Sequence, residues 1–168
     1  MNKKDTVVFD LDGTLLDTLE DLKNSVNYAM TQCGYPEHTL DEVRRYVGNG
    51  ILLLMQRAIP GGKDDPNFDK AFTLFKEHYG KHCNDTTKPY AGIMELLHTL
   101  KENNIKIAIV SNKADFAVKE LNAIYFKDLI PVAIGEKESE GIRKKPAPDT
   151  VIEALKQLGS TAENSVYI

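Results

Sequence analysis

Three short runs rich in β-branched residues, Thr6–Phe9, Ile105–Val110 and Val132–Ile134, are separated by stretches whose apolar residues recur at helical spacing. Strands that alternate with helices are not joined by hairpins, so the pattern predicts an α/β fold built on a parallel sheet. The second run, Ile-Lys-Ile-Ala-Ile-Val, is apolar almost throughout, as a strand covered on both faces must be. Pro131 lacks an N–H donor and makes the third strand short or peripheral. Between the first two strands lies far more chain than a crossover needs. Asp17 precedes an apolar series, Leu19, Leu22, Val26, Ala29, Met30 and Cys33, and Gly34 stands where such a helix would stop. Thr39 and Glu42 have the spacing of a capping box for a helix from Leu40 to Val47. A third helix is expected over Ile51–Ile59, and a fourth carries Phe68, Phe72, Phe75 and Tyr79. A run of about 70 residues without a strand exceeds the usual βα connection and predicts an inserted all-helical subdomain. The expected division is an α/β core of residues 1–16 and 85–168 around a helical insertion of residues 17–84.

With 168 residues, 42% of them hydrophobic, the chain can bury a core that needs neither disulfides nor metal staples. Its two cysteines, Cys33 and Cys83, are too few for a disulfide framework or a four-cysteine zinc site, in keeping with a reducing compartment. The 25 acidic residues against 21 basic ones argue against a nucleic-acid partner. No apolar run approaches the roughly 20 residues of a membrane span, and the amino terminus lacks a signal-peptide pattern. A cytoplasmic protein with no membrane partner is expected. A small anionic substrate remains open, because a local cluster of cations suffices to bind one.

The first strand runs into Phe9-Asp10-Leu11-Asp12-Gly13-Thr14, and ligands of open α/β sheets bind at the carboxyl ends of the strands. Side chains two apart on an extended chain point the same way, so Asp10 and Asp12 can face one reacting group. Two carboxylates so close repel unless a cation or proton relieves them, which suits a hard ion such as Mg2+ together with one acid/base group. Gly13 permits a tight exit, although a turn with capping aspartates would also account for a bare Asp-x-Asp. The second strand delivers Ser111 and Asn112 to the same sheet edge before a helix through Phe116, Val118 and Leu121. A hydroxyl and backbone amides at a helix start cradle phosphate well. Further on, Arg143-Lys144-Lys145-Pro146-Ala147-Pro148-Asp149 joins cations to a helix start, where proline is at home.

Continued through Leu15-Leu16-Asp17-Thr18, the first motif resembles the first signature of the haloacid dehalogenase-like (HAD) phosphatase superfamily. The resemblance implies that Asp10 is the nucleophile that takes the phosphoryl group as an aspartyl-phosphate. It implies that Asp12 protonates the leaving alcohol and then activates water, with Asp10 and Asp12 holding Mg2+ and with Gly13 and Thr14 beside the phosphate. Ser111 and the Asn112 amide are similar to the second motif and imply phosphate ligands. Lys-Pro-x-Pro is similar to the third, with Lys145 bridging nucleophile and phosphate. Arg143 and Lys144 are read as surface charges. The family's fourth motif, a Gly-Asp and a further acid, is expected just after a strand such as Ser165–Ile168, so the chain reads as an enzyme cut short before it.

The helical insertion looks like the family's small cap, a lid that excludes water. Gly34–Thr39 and Arg44–Gly50 within it resemble the corresponding segments of phosphoglycolate phosphatases. Glycines at 48 and 50, with Asn49 between them, let backbone amides approach a ligand, and Arg44 or Arg45 could attract a carboxylate. A glycine-broken turn between helices explains the same residues equally well. The reading that follows is a Mg2+-dependent phosphomonoester hydrolase acting on 2-phosphoglycolate. Two others stay open. One is a phosphatase or β-phosphoglucomutase-type transferase for another small sugar phosphate, and the other is a non-catalytic HAD-like binding protein. The expected partner is a small phosphorylated metabolite, or for the non-catalytic reading a phosphorylated ligand or another partner, and the oligomeric state, monomer or homodimer, is left undecided.

Overall fold

The computed structural model describes residues 4–168. In chain order the elements are β1 (Thr6–Phe9), β2 (Leu16–Asp17), α1 (Leu19–Gln32), α2 (Leu40–Tyr46), α3 (Ile51–Ala58), α4 (Phe68–His82) and β3 (Lys88–Pro89). They continue with α5 (Ile93–Glu102), β4 (Lys106–Ala114), α6 (Asp115–Tyr125), β5 (Val132–Glu136), α7 (Asp149–Gln157) and β6 (Ser165–Tyr167). The chain divides into two compact units, one made of the chain up to Leu16 and Pro89–Ile168, the other of Asp17–Lys88.

The first unit is an α/β layer structure around a parallel sheet of order β5-β4-β1-β6. Alternation along β4 sorts its side chains onto two faces. Ile107 and Ile109 join Phe9, Leu11, Leu97, Val118, Leu121 and Phe126 on the side of α5 and α6. Ala108 and Val110 join Val8, Val132, Ile134, Ala154 and Leu155 on the side of α7. Both faces are therefore dry, and each fully buried aliphatic side chain adds about 2 kcal/mol of burial free energy. Such a sheet can hold polar groups rigidly at its carboxyl edge, because the strands beneath them cannot shift.

Strand β4 is longer than the sequence suggests. It continues through Ser111, Asn112 and Lys113 to Ala114, with a register irregularity against β5 between Val110 and Ala114, and α6 starts only at Asp115. Ser111 and Asn112 thus lie on the strand, not at the helix start. A close approach enforces this geometry. A Cβ on Gly135 would fall 2.3 Å from Asp115 Cα and 2.7 Å from the Lys113 carbonyl, so only glycine lets β5 pass the end of β4. The Gly135 N–H donates to Asp115 Oδ1 at 2.9 Å. Burial raises the Asp115 carboxyl, but bonds from Lys119 and Gly135 and the charges of Lys119 and Lys137 outweigh it and lower the pKa.

The second unit is all-helical and carries its own core of Leu22, Val26, Met30, Leu54, Met55, Phe75 and neighbouring residues. Thr39 caps α2 with Glu42 as expected, the Glu42 N–H donating to Thr39 Oγ1 and the Thr39 N–H to Glu42 Oε2. At α1 the cap residue is Thr18, one position after the Asp17 that the sequence favours, and its side chain makes no capping bond. Gly34 sits just past the helix end at φ +77°, the left-handed conformation that stops helices. Asp21, in the first turn of α1, is 1% exposed and accepts from the N–H and hydroxyl groups of both Thr86 and Thr87 at 2.7–3.1 Å. Those bonds bind residues 86 and 87 to the helical unit, which is why the chain returns to the core at Pro89 and not at Asp85. The short strands β2 and β3, on the outgoing and returning segments, pair as a two-stranded sheet.

Candidate active site

Asp10 follows directly on β1, its N–H donating to the Ile168 carbonyl at 2.8 Å, so the strand pairing with β6 fixes its backbone. Its carboxylate is held from two sides. Oδ1 accepts from the Leu11 N–H at 2.8 Å, and Oδ2 lies 2.9 Å from Lys145 Nζ. The chain then turns sharply. The Gly13 N–H donates to the Leu16 carbonyl at 2.9 Å, Leu15 and Leu16 both donate to the Leu11 carbonyl, and Gly13 adopts φ +80°. This turn carries Asp12, Gly13 and Thr14 past the sheet edge while burying Leu11, Leu15 and Leu16. Asp12 meets a second lysine, with Lys113 Nζ 3.0 Å from its Oδ1 and 3.3 Å from its Oδ2.

The loop before α7 is tied to β4 through Asn112. Its Nδ2 donates to the Lys145 carbonyl at 3.1 Å, and its Oδ1 accepts from the Lys145 N–H at 2.9 Å. This two-way backbone clamp sets Lys145 beside Asp10. Ser111, 3% exposed, accepts from the Lys113 N–H through Oγ at 3.2 Å. Lys145 Nζ also donates to Tyr167 Oη at 2.5 Å and lies 5.2 Å from the centre of the Tyr167 ring. Burial pushes the Tyr167 phenol up, and the Asp10 charge adds to that, while Lys145 works the other way.

The structure therefore gathers Asp10, Asp12, Gly13, Thr14, Ser111, Asn112 and Lys145 at the carboxyl edge of one sheet. The Asn112 side chain has a part that the sequence does not reveal, the clamping of a loop. The helix of the third motif starts later than proline position suggests, because Pro148 is the residue before α7 and Asp149 its first. Arg143 and Lys144 do pair locally, Arg143 with Asp149 at 2.8 Å and Lys144 with Glu138 at 2.9 Å. Two residues of the site escape sequence reasoning, Lys113 and Tyr167. The spacing of Ser111 and Lys113, two apart on a strand, is the signal that could have found the first.

Arg45, Gly48, Asn49 and Gly50 lie in the helical unit. Gly48 and Gly50 both take positive φ, at +114° and +86°, in the turn between α2 and α3, and Arg57 donates to Asn49 Oδ1 at 3.1 Å and to the Tyr46 carbonyl at 2.7 Å. Arg45 is exposed. The loop is thus internally braced by Arg57.

A parallel sheet with paired carboxylates, lysines and a buried serine at its carboxyl edge places the protein among the open α/β folds that bind ligands at that edge. The sequence profile of the haloacid dehalogenase-like hydrolases matches residues 7–168, and the chain belongs to that family. Phosphoglycolate phosphatase of Pseudomonas putida is 30% identical over 96% of this chain, which spans 61% of that relative's length. The enzyme of the same name from Aquifex aeolicus is 31% identical, with 96% of this chain and 74% of its own length covered. A crystal structure from Lactobacillus delbrueckii subsp. bulgaricus, assigned provisionally to that activity, superposes with a TM-score of 0.88 at 32% identity, covering 99% of this chain and 78% of that one. CbbY from Rhodobacter sphaeroides, solved with phosphate, shares the fold at a TM-score of 0.73 and 20% identity, covering 98% of this chain and 76% of its own.

Proposed function

We propose that the protein hydrolyses a small phosphate monoester, 2-phosphoglycolate, through an aspartyl-phosphate on Asp10. The observation that carries the reading is the Lys145–Asp10 contact at 2.9 Å, beside the buried Ser111. A carboxylate so placed attacks phosphorus while the lysine offsets the repulsion between two anions. Asp10 Oδ forms a bond to phosphorus, the phosphorus–oxygen bond to the ester breaks, and the leaving alkoxide takes the proton of Asp12, which enters this step as the carboxylic acid and leaves it as the carboxylate. Asp12 then removes a proton from water, the water oxygen bonds to phosphorus, and the Asp10 carboxylate leaves with inorganic phosphate free. Ser111 Oγ would hold a non-bridging oxygen in this reading, with the Asn112 clamp keeping Lys145 in reach.

Mg2+ fits the chemistry of the donors, which are oxygen only. Asp10, through its carboxylate, and Asp12, through its carbonyl, would hold it. Among the described residues there is no cluster of three His, Cys, Asp or Glu, so water and the phosphate itself complete the shell in this reading. With Asp12 protonated as the acid, the two lysines leave one positive charge over Asp10, whereas a phosphate monoester brings about two negative charges at neutral pH. A divalent ion, when bound, offsets those charges in the transition state. The name shared by the relatives favours a substrate with a carboxylate. The test is a panel of phosphate esters assayed with full-length protein and Mg2+. A kcat/KM for 2-phosphoglycolate above that of hexose and pentose phosphates supports the assignment, and a preference for a sugar phosphate refutes the substrate while leaving the chemistry.

A further inference from the structure

We propose that Lys113 is the positioning residue for Asp12, the side chain that fixes the acid–base carboxylate in its working orientation. The proposal rests on the phosphatase reading above. Lys113 has a side chain only 2% exposed, and an ammonium group so buried is costly unless a partner of opposite charge compensates it. That partner is Asp12, both of whose carboxylate oxygens face Nζ, at 3.0 and 3.3 Å. A contact to both oxygens restrains rotation about the Asp12 side-chain bonds, which one hydrogen bond would leave loose. The backbone is fixed independently. The Gly13–Leu16 bond holds the turn that carries Asp12, and β4, which carries Lys113, pairs with β1 in parallel from Thr6 opposite Lys106 to Phe9 opposite Ile109. Lys113, in the last residues of β4, and Asp12, just past β1, therefore meet at the carboxyl edge of adjacent strands.

The two lysines of the site divide the work. Lys145 serves the nucleophile and is held by Asn112 and Tyr167, whereas Lys113 serves the acid–base residue. A general acid works only when its proton lies within hydrogen-bond reach of the leaving oxygen, so a freely rotating Asp12 would lose rate without losing binding. This distinguishes positioning from a structural ion pair, which affects folding but not the choice between leaving groups.

The experiment is a double-mutant cycle of Lys113→Met and Asp12→Asn in the full-length protein. Each variant is assayed on 2-phosphoglycolate, whose alkoxide needs a proton to depart, and on p-nitrophenyl phosphate, whose phenolate barely does. Lys113→Met should lower kcat/KM for 2-phosphoglycolate about a hundredfold, as loss of a positioned acid does, with KM little changed. For p-nitrophenyl phosphate the loss should stay below about fivefold, because protonation matters less. On the Asp12→Asn background the same change should cost less than about twofold, since the residue it acts through is gone. Lys113→Arg, which keeps the charge, should recover part of the loss. Equal losses on the two esters, or losses that multiply in the double variant, would overturn the proposal. Where Lys113→Met alone does not fold, the double variant, which leaves neither charge unpaired, is compared with Asp12→Asn and decides the matter. Wild-type protein that turns over no ester refutes the phosphatase reading itself, and this proposal with it; active wild type with a multiplicative cycle refutes only the role of Lys113.

Discussion

At the scale of single residues, the core site and the helical unit each depend on a carboxylate with fixed partners. The Asp10 side chain is a third exposed, and its pair with Lys145 contributes no more than about 1 kcal/mol to stability. Asp10→Asn should therefore leave the urea midpoint nearly unchanged while lowering kcat at least about a thousandfold, because an amide cannot serve as the nucleophile. Retained turnover in protein purified free of host phosphatases would show that another group attacks phosphorus. Asp21 behaves in the opposite way. It is buried and takes no part in the chemistry, and burial raises its pKa, but the Thr86 and Thr87 hydrogen bonds outweigh that and hold it below the usual carboxylate value. A group lowered in the folded state stabilises above its unfolded pKa of about 3.9, and that contribution fades as pH falls through the lower folded value. Asp21→Ala should cost about 3 kcal/mol at pH 7, since four donors lose their acceptor, and the gap between wild type and variant should narrow below about pH 4. Chemical denaturation at the two pH values measures this, and a gap that does not change with pH would rule out the ionised form as the stabilising one.

At the scale of elements, the meeting of β4, β5 and α6 decides where the phosphate-side groups stand. Gly135 has backbone, not flexible side chain, where a Cβ would go. Gly135→Ala should then destabilise by about 2–3 kcal/mol, in the range of an overpacked core. It should also depress kcat/KM, because the atoms that must yield belong to Lys113 and Asp115. A variant with wild-type melting temperature and wild-type rate would mean that β5 has room the structure does not show. The cap of α2 is a smaller matter. Thr39→Ala removes one of the two reciprocal bonds with Glu42 and should cost about 1 kcal/mol, read as a shift in urea midpoint without loss of activity.

At the scale of the whole chain, each unit has a hydrophobic core of its own. The helical unit leaves and returns through paired strands, β2 and β3, so its two ends are neighbours, as an insertion requires. A fragment of residues 17–88 should accordingly show helical circular dichroism and a cooperative melt, and Phe75→Ala, which empties a fully buried site, should abolish that melt by removing about 3–5 kcal/mol. A non-cooperative wild-type fragment would mean that its core is insufficient alone. Chelation tests the charge argument for the site. Turnover should vanish with EDTA and return with excess Mg2+, and titration calorimetry should detect Mg2+ binding that Asp10→Asn removes. Full activity in chelator would exclude the ion from the reaction.

Much of this was legible in the residues alone. The β-branched runs and helical spacings specify an α/β core with a helical insertion because the periodicity of burial is local, and Thr39 with Glu42 or Gly34 act within one turn of chain. Asp10, Asp12 and Ser111 could be picked out because each follows a strand run whose carboxyl end must face a common edge, whereas Lys145 was picked out by the resemblance of Lys-Pro-x-Pro to a family motif. What distant chain segments do to each other was not legible. Asn112 clamping the Lys145 backbone 33 residues away, Thr86 and Thr87 drawing the unit boundary by bonding Asp21, and Gly135 yielding space to Asp115 all depend on which atoms meet after folding. The same holds for Lys113, which no motif singles out and which is buried against Asp12 in the structure. A side chain's chemistry is written in its identity, but its partner is set by the packing of strands that are remote in sequence, and only the tertiary structure supplies that.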